Sequence, residues 1–179
     1  MRRRSARVRD LATILLATLL AASAPAVAEA LRAQLFLIDA NGPTGRAGEI
    51  LIADSPDGVR LLVEVRNLPP GSYRLQIHRG SDCGPGPDDT GAMAAGVLAG
   101  EPWAPADGTG EAGMVEDQPP PLEGASTTPL ELPELQVRDD GHGYAEIVLP
   151  EISDALQLWY RSFVVHTPDG ARVACGVVG

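Results

Sequence analysis

The sequence contains no lysine, so all 14 of its basic side chains are arginines, and they stand against 24 acidic residues. Five of those arginines lie within the first ten residues. Without residues 1–28, nine arginines remain against 23 acidic side chains, which leaves a net charge of about −14. Nucleic acids and anionic membranes are bound through positive charge that displaces their counterions. The charge balance therefore predicts that the chain binds neither.

Long apolar runs are also missing, except near the amino terminus. There the arginine-rich start is followed by LATILLATLLAA at 11–22 and by the small-residue segment APAVAEA at 24–30. A basic start, an apolar core too short to span a bilayer comfortably and a small-residue segment, in this order, are typical of a cleaved secretory signal peptide. We therefore predict a signal peptide at 1–30, cleaved after Ala28 or Ala30. The mature chain would be periplasmic or secreted and not an integral membrane protein; an uncleaved anchor is the alternative.

Aromatic residues make up only 4% of the sequence, and convincing amphipathic helix patterns are absent. Residues 31–179 instead contain short alternating runs separated by turn residues, as expected for strands. The runs are AQLFLID, GEILIA, VRLLVEVRNL, YRLQIH, the two halves of ELQVRDDGHGYAEIVL, RSFVVHT and ARVACGVV. Residues 80–132 show no regular periodicity and form a long loop rich in Gly, Pro and acidic residues. The pattern predicts one all-β domain, an eight-stranded antiparallel barrel or sandwich with one long loop insertion.

Cysteine is scarce as well, since only Cys83 and Cys175 occur. An exported chain meets an oxidising compartment, and no third thiol competes for either partner. We therefore predict a single disulfide between these two residues. Neither cysteine would then be free to act as a nucleophile.

Three segments of the sequence resemble one known family. They are NLPPGSYRLQIHRGSDC at 67–83, LPELQVRDDGHGYAEIVLP at 132–150 and YRSFVVHTPDGARVACGVVG at 160–179. In the same order they are similar to the GL-x-PG-x-HGFHIH, DLPNLTVDADGKA, and GRSVVVH with RIACGVIG segments of the copper/zinc superoxide dismutases. The resemblance implies a Greek-key β-barrel of eight strands, with a metal site on its outside covered by two loops. It also implies the disulfide between Cys83 and Cys175.

The sequence contains few histidines, although the superoxide dismutase family uses histidines to bind its metals. The family surrounds copper, which alternates between Cu(II) and Cu(I), with four histidines, one of which bridges to zinc; this sequence has three histidines in all. The resemblance puts His78 and His166 on two copper-ligand positions, and Gln76, whose neutral amide is a poor copper ligand, on a third. Because no histidine occurs in residues 79–141, the bridging and zinc histidines are missing. We therefore expect a site that can hold copper but not zinc.

Several other residues fall on or near functional positions of the family. The resemblance puts Arg172 where the family has an arginine that attracts superoxide to copper, and a structural role beside the disulfide is equally open. An ungapped count puts Asp89 at the bridging-histidine position, and Glu131 falls where the family has a zinc-binding aspartate. We expect His142 in a surface turn, the acidic loop residues to be solvated and the loop methionines to be loop or packing residues. The acidic loop residues are Asp82, Asp88, Asp107 and Glu111, and the loop methionines are Met93 and Met114.

The fold resemblance and the missing ligands together predict an exported superoxide dismutase-like protein with a degenerate copper/zinc site and weak or no dismutase activity. Two alternatives use the same residues: a copper-only superoxide dismutase, and a periplasmic copper-binding protein that holds the ion through His78 and His166. Superoxide is a substrate only if copper is bound, and no other partner follows from the sequence. In the folded chain, His78 and His166 should face each other across neighbouring strands. Convergence of Gln76, Asp89 or Glu131 on the pair would favour metal binding. Burial of the pair among apolar side chains, with hydrogen bonds to the backbone, would instead make both histidines core residues.

Overall fold

The computed structural model of the chain describes residues 30–105 and 128–179. Its strands are β1 (Leu31–Asp39), β2 (Gly42–Ser55), β3 (Gly58–Val65), β4 (Gly71–His78), β5 (Gly86–Pro87), β6 (Met93–Ala94), β7 (Leu135–Val137), β8 (Gly143–Leu149), β9 (Ser162–His166) and β10 (Arg172–Val177). Eight of them close into an antiparallel barrel in the order β1-β10-β9-β4-β7-β8-β3-β2, while β5 and β6 pair separately. In space β7 and β8 lie between β3 and β4, as a Greek-key connection requires. The predicted eight-stranded barrel is confirmed.

Alternating burial along the strands separates the barrel's core from its outer face. On β3 the buried residues are Val59, Leu61, Val63 and Val65. On β4, Tyr73, Leu75 and Ile77 point into the barrel. Because successive side chains of a strand point to opposite faces, Gln76 and His78 lie on the outer face of β4.

The turn between β1 and β2 is shorter than the interval ANGPTGRA at 40–47, which separates the predicted strands AQLFLID and GEILIA. It consists of Ala40 and Asn41 only, since β2 already begins at Gly42. The Asp39 carboxylate accepts a hydrogen bond of 2.7 Å from the Asn41 backbone N–H, which closes the chain reversal locally. Register irregularities after Leu35 and Leu37 absorb the additional residues within the strand pair.

Residues 79–104, here called the cover segment, lie over the outer face of the barrel beside β4. Within this first part of the predicted long loop are β5, β6 and a 3₁₀ turn at Val97–Ala99. The backbone N–H of Trp103 donates to the Ile77 carbonyl, and the backbone N–H of Gly80 donates to the Ala99 carbonyl, both over 2.8 Å. These bonds return the segment to the end of β4, so it can cover side chains that β4 presents outside the barrel.

A small apolar cluster outside the barrel holds the cover segment in place. It consists of Ile38, Ala99, Val164 and Cys175, with Cys83 and Ala95 packed against it. The disulfide joins Cys83 of the cover segment to Cys175 of β10, with an S–S distance of 2.00 Å. The predicted cysteine pairing is therefore present, and it ties the cover segment to the strand that begins with Arg172.

Within the two described ranges, no helix is long and apolar enough to cross a membrane. The predicted signal peptide lies outside the described residues, except for Ala30. Its cleavage and the export of the chain remain predictions.

Candidate metal centre

Two histidines meet on the outer face of the barrel, beneath the cover segment. His78 is the last residue of β4 and His166 is the last residue of the neighbouring strand β9. Their Nε2 atoms are 3.2 Å apart, although the residues are 88 positions apart in the chain. Only 1% of His78 and 6% of His166 is exposed. The barrel thus brings together the two residues that the sequence assigns to copper positions.

The other ring nitrogen of each histidine is bound to a backbone carbonyl. The Nδ1 of His78 lies 2.8 Å from the carbonyl oxygen of Gly100 in the cover segment. The Nδ1 of His166 lies 3.3 Å from the carbonyl oxygen of Gly170, in the turn before β10. Because a carbonyl oxygen only accepts hydrogen bonds, each of these two bonds forms when Nδ1 carries the proton. With both Nδ1 atoms protonated, the Nε2 lone pairs of the neutral rings face each other, whereas a proton on one Nε2 makes the 3.2 Å contact a hydrogen bond.

Burial keeps both imidazoles neutral. The pKa of His78 is lowered from 6.5 to about 4, mainly by burial and then by the charges of Arg172 and His166, against the opposing hydrogen bond to Gly100. Burial is also the main cause that lowers the pKa of His166, followed by the charges of Arg172 and Arg74, against the hydrogen bond to Gly170. Neutral imidazole is the form that binds a metal ion.

Arg172 is attached to the same carbonyl that holds His78. Its guanidinium donates to the carbonyl oxygen of Gly100 over 3.2 Å and to that of Gly96. The φ of Gly96 is 63° and that of Gly100 is 74°, both in the region that favours glycine, and this brings the two carbonyls to one arginine. Arg172 also lines a cleft of about 490 Å³ together with the acidic side chains of Asp88, Asp89 and Glu101.

Comparisons with known proteins return the family suggested by the sequence. No family model matches the chain. A Cu-Zn superoxide dismutase of Brucella abortus is 27% identical over 167 residues, covering 86% of this chain and 91% of the relative. One of Escherichia coli K12 is 25% identical over 181 residues, covering 92% and 95%. The chain is similar in sequence to Cu/Zn superoxide dismutases over most of its length.

Solved structures of this superoxide dismutase family share the fold. The Cu/Zn superoxide dismutase from Brucella abortus matches with a TM-score of 0.65 at 24% identity, covering 84% of this chain and all of that one. The monomeric copper, zinc superoxide dismutase from Salmonella enterica matches with a TM-score of 0.60 at 23% identity, covering 83% and 98%. At these identities the structural likeness shows the barrel alone.

Gln76 occupies the place between the two histidines in the strand register. It pairs with Val164, whereas Arg74 pairs with His166 and His78 pairs with Ser162. The Gln76 side chain is half-buried and lines a separate cleft of about 430 Å³. A dismutase-family histidine at this position would stand on the same face as His78. Here the position carries an amide.

The acidic residues considered as metal ligands line clefts that neither His78 nor His166 lines, or accept hydrogen bonds in their own turns. Asp89 lines the cleft beside Arg172, whereas Glu131 lines the cleft beside Gln76. The carboxylates of Asp82 and Asp88 accept hydrogen bonds from nearby backbone N–H groups in their own turns. Among the residues that the structure describes, no group of three or more His, Cys, Asp or Glu side chains could hold a metal ion.

The last candidates lie at the surface or outside the described ranges. His142 is exposed in the turn between β7 and β8, and Met93 is exposed on β6. Asp107, Glu111 and Met114 are outside the described residues. The carbonyls of Gly100 and Gly170 belong to the site but were missed from the sequence, because a backbone carbonyl leaves no mark in a residue pattern.

Proposed function

We propose that this chain is an exported superoxide dismutase-like protein with a degenerate metal site, which holds copper through His78 and His166 and holds no zinc. Its dismutase activity is weak or absent. The observation that carries the proposal is the 3.2 Å contact between two buried Nε2 atoms. Sequence similarity supplies the context, because the same barrel in the relatives is named for copper and zinc.

The two histidines fit copper in their chemistry. A histidine that binds a metal through one ring nitrogen usually donates the other N–H to a carbonyl or carboxylate, which fixes the ring and its tautomer. His78 and His166 both meet this condition through Gly100 and Gly170. Bound copper would supply one-electron exchange with superoxide, while the protein would hold and orient it through the two Nε2 atoms.

Zinc fits the described residues poorly. Protein zinc sites use three or four side-chain ligands, arranged as a tetrahedron. No such set is found in residues 30–105 and 128–179. Residues 79–141 contain no histidine at all, so the segment outside the described ranges cannot supply an imidazole either.

The charges that line the cleft beside Arg172 support weak dismutation. Arg172 would favour an anion near the copper-holding pair, as its position in the family implies. The same cleft is lined by Asp88, Asp89 and Glu101, so its acidic side chains outnumber its one arginine. Fields of this sign lower the local concentration of superoxide and slow its approach.

Copper-loaded protein is expected to consume superoxide no faster than free copper at the same concentration. The missing third and fourth imidazoles and the acidic cleft both reduce the rate. Stopped-flow measurement of superoxide decay, with free copper and metal-free protein alongside, tests this expectation. Turnover well above that of free copper, and lost in His166→Ala, would instead establish a copper-only superoxide dismutase.

Replacing Gln76 by histidine is expected to strengthen copper binding by at least about tenfold, equivalent to about 1.4 kcal/mol. The new imidazole would stand on the outer face of β4, between the register positions of His78 and His166. Competition with a chelator of known affinity measures the change. The matched control is Gln136→His, which adds an exposed histidine on β7. An equal gain in both variants would contradict a specific role for position 76.

A further inference from the structure

The two imidazoles meet end to end. Their ring centroids are 5.4 Å apart, whereas the facing Nε2 atoms are only 3.2 Å apart. The rings therefore approach each other by their Nε2 edges and do not stack face to face. Each ring is held from behind by its Nδ1 hydrogen bond, to Gly100 or to Gly170. The two Nε2 atoms thus lie on opposite sides of the midpoint between the rings. A metal ion at that midpoint would be coordinated linearly by two nitrogens.

Further donors for a metal at that point are not in place. The described residues contain no group of three or more His, Cys, Asp or Glu side chains suited to a metal ion. Gln76 and Glu131 line one cleft and Asp89 lines another. Cu(II) prefers a square-planar or tetragonal set of ligands, and Zn(II) prefers a tetrahedral set. Both ions would be left with most of their positions unfilled.

The surroundings also favour a low ionic charge. Both imidazoles are buried and neutral, and the Arg172 guanidinium binds the carbonyl that holds His78. The acidic side chains of the neighbouring cleft line it beside Arg172 and do not join the two histidines. The cost of burying an ion rises steeply with its charge when no carboxylate contacts it. A monovalent ion therefore suits this position better than a divalent ion.

We propose that His78 and His166 form a two-coordinate site that selects a monovalent, soft d¹⁰ cation, Cu(I) or equally Ag(I), over Cu(II) and Zn(II). The proposal rests on the proposed function, since it uses the same two residues, and it adds which ion they take. Two metal–nitrogen bonds of about 2 Å in line span about 4 Å. The two Nε2 atoms are 3.2 Å apart, so the rings would have to move apart by less than the width of an atom to admit the ion.

The test compares four ions on the same metal-free protein. Cu(I) is supplied under reducing, anaerobic conditions with a chromogenic chelator as competitor, and Ag(I), Cu(II) and Zn(II) are titrated separately by calorimetry. We expect one equivalent of Cu(I) and of Ag(I), each bound at least 100-fold more tightly than Cu(II) or Zn(II). X-ray absorption of the Cu(I) form should show two nitrogen neighbours and the strong pre-edge feature of linear Cu(I).

NMR spectroscopy of the wild-type protein locates the bound ion, so this test does not depend on whether a substituted protein folds. In protein labelled with ¹⁵N at histidine, Ag(I) should shift the Nε2 signals of His78 and His166 and leave both Nδ1 nitrogens protonated. The exposed His142 provides the internal control, because its signals should not move. Shifts at Nδ1, or at His142 alone, would contradict the site.

Failure of this inference differs from failure of the proposed function. If no copper binds in either oxidation state, both are wrong. If Cu(II) or Zn(II) binds as tightly as Cu(I), the selectivity is wrong while copper binding stands. Gln76→His gives a further test, because a third imidazole should raise Cu(II) affinity more than Cu(I) affinity. An equal rise for both ions would argue against two-coordinate selection.

Discussion

Removing the disulfide in a Cys83→Ala/Cys175→Ala variant is expected to lower the free energy of unfolding by about 4 kcal/mol. The cross-link joins residues 92 positions apart, and a closed loop of that length removes much conformational entropy from the unfolded chain. Urea unfolding at neutral pH measures the loss. Copper binding should weaken in the same variant, since the cover segment carries the Gly100 carbonyl that orients His78.

Reduction of the wild-type protein by a thiol reagent is the control for this prediction. It removes the same cross-link without changing a side chain, so the two proteins should unfold at the same urea concentration. Unchanged stability in both would mean that the apolar contacts among Ile38, Ala99 and Val164 hold the cover segment without covalent help. A loss in the variant alone would point to altered packing at Cys175, which is fully buried.

Acid is expected to destabilise the metal-free protein by about 3 kcal/mol through His78 alone. As the pH falls below 6.5, His78 in the unfolded chain takes up a proton, whereas folded His78, with a pKa of about 4, stays neutral. Proton uptake by the unfolded state lowers stability, so the loss begins near pH 6.5 and is complete near pH 4. Burial lowers the pKa of His166 too, which adds a loss in the same direction.

Urea unfolding at several pH values between 7 and 4 measures this effect. His78→Leu should give a flatter profile than the wild type, even if it is less stable at pH 7, because it removes a buried group that titrates. His142→Ala is the matched control, since it removes an exposed histidine from a turn, and its profile should follow the wild type. Parallel profiles for His78→Leu and the wild type would show that the acid loss arises elsewhere.

Much of the barrel could be predicted because its signals are local. Alternation on strands such as β3 has a period of two residues, and it is visible in VRLLVEV without knowledge of any neighbour. The turn after β1 is shorter than the gap between the runs AQLFLID and GEILIA, because Gly42 and Pro43 belong to the strand pair, which absorbs the additional residues through register shifts. β5 and β6 were also missed, because strands of two residues leave no periodic pattern.

The candidate site was predictable in its identities but not in its arrangement. The resemblance to the family marked positions 76, 78 and 166, and the amide at Gln76 already indicated an incomplete ligand set. The end-to-end approach of two rings depends on the pairing of β4 with β9 and on how far each side chain leans along its strand. Those quantities arise only when distant strands are brought together.

By itself, the sequence determined the all-β class, the charge, the single cysteine pair and the shortage of histidine, since each follows from composition or from a period of two residues. The tertiary structure alone decided that His78 and His166 touch, that glycine carbonyls hold them, and that Asp89 and Glu131 line separate clefts. The physical reason is that these contacts join residues far apart in the chain. Several of them also use backbone atoms, which every residue carries and no residue pattern reveals.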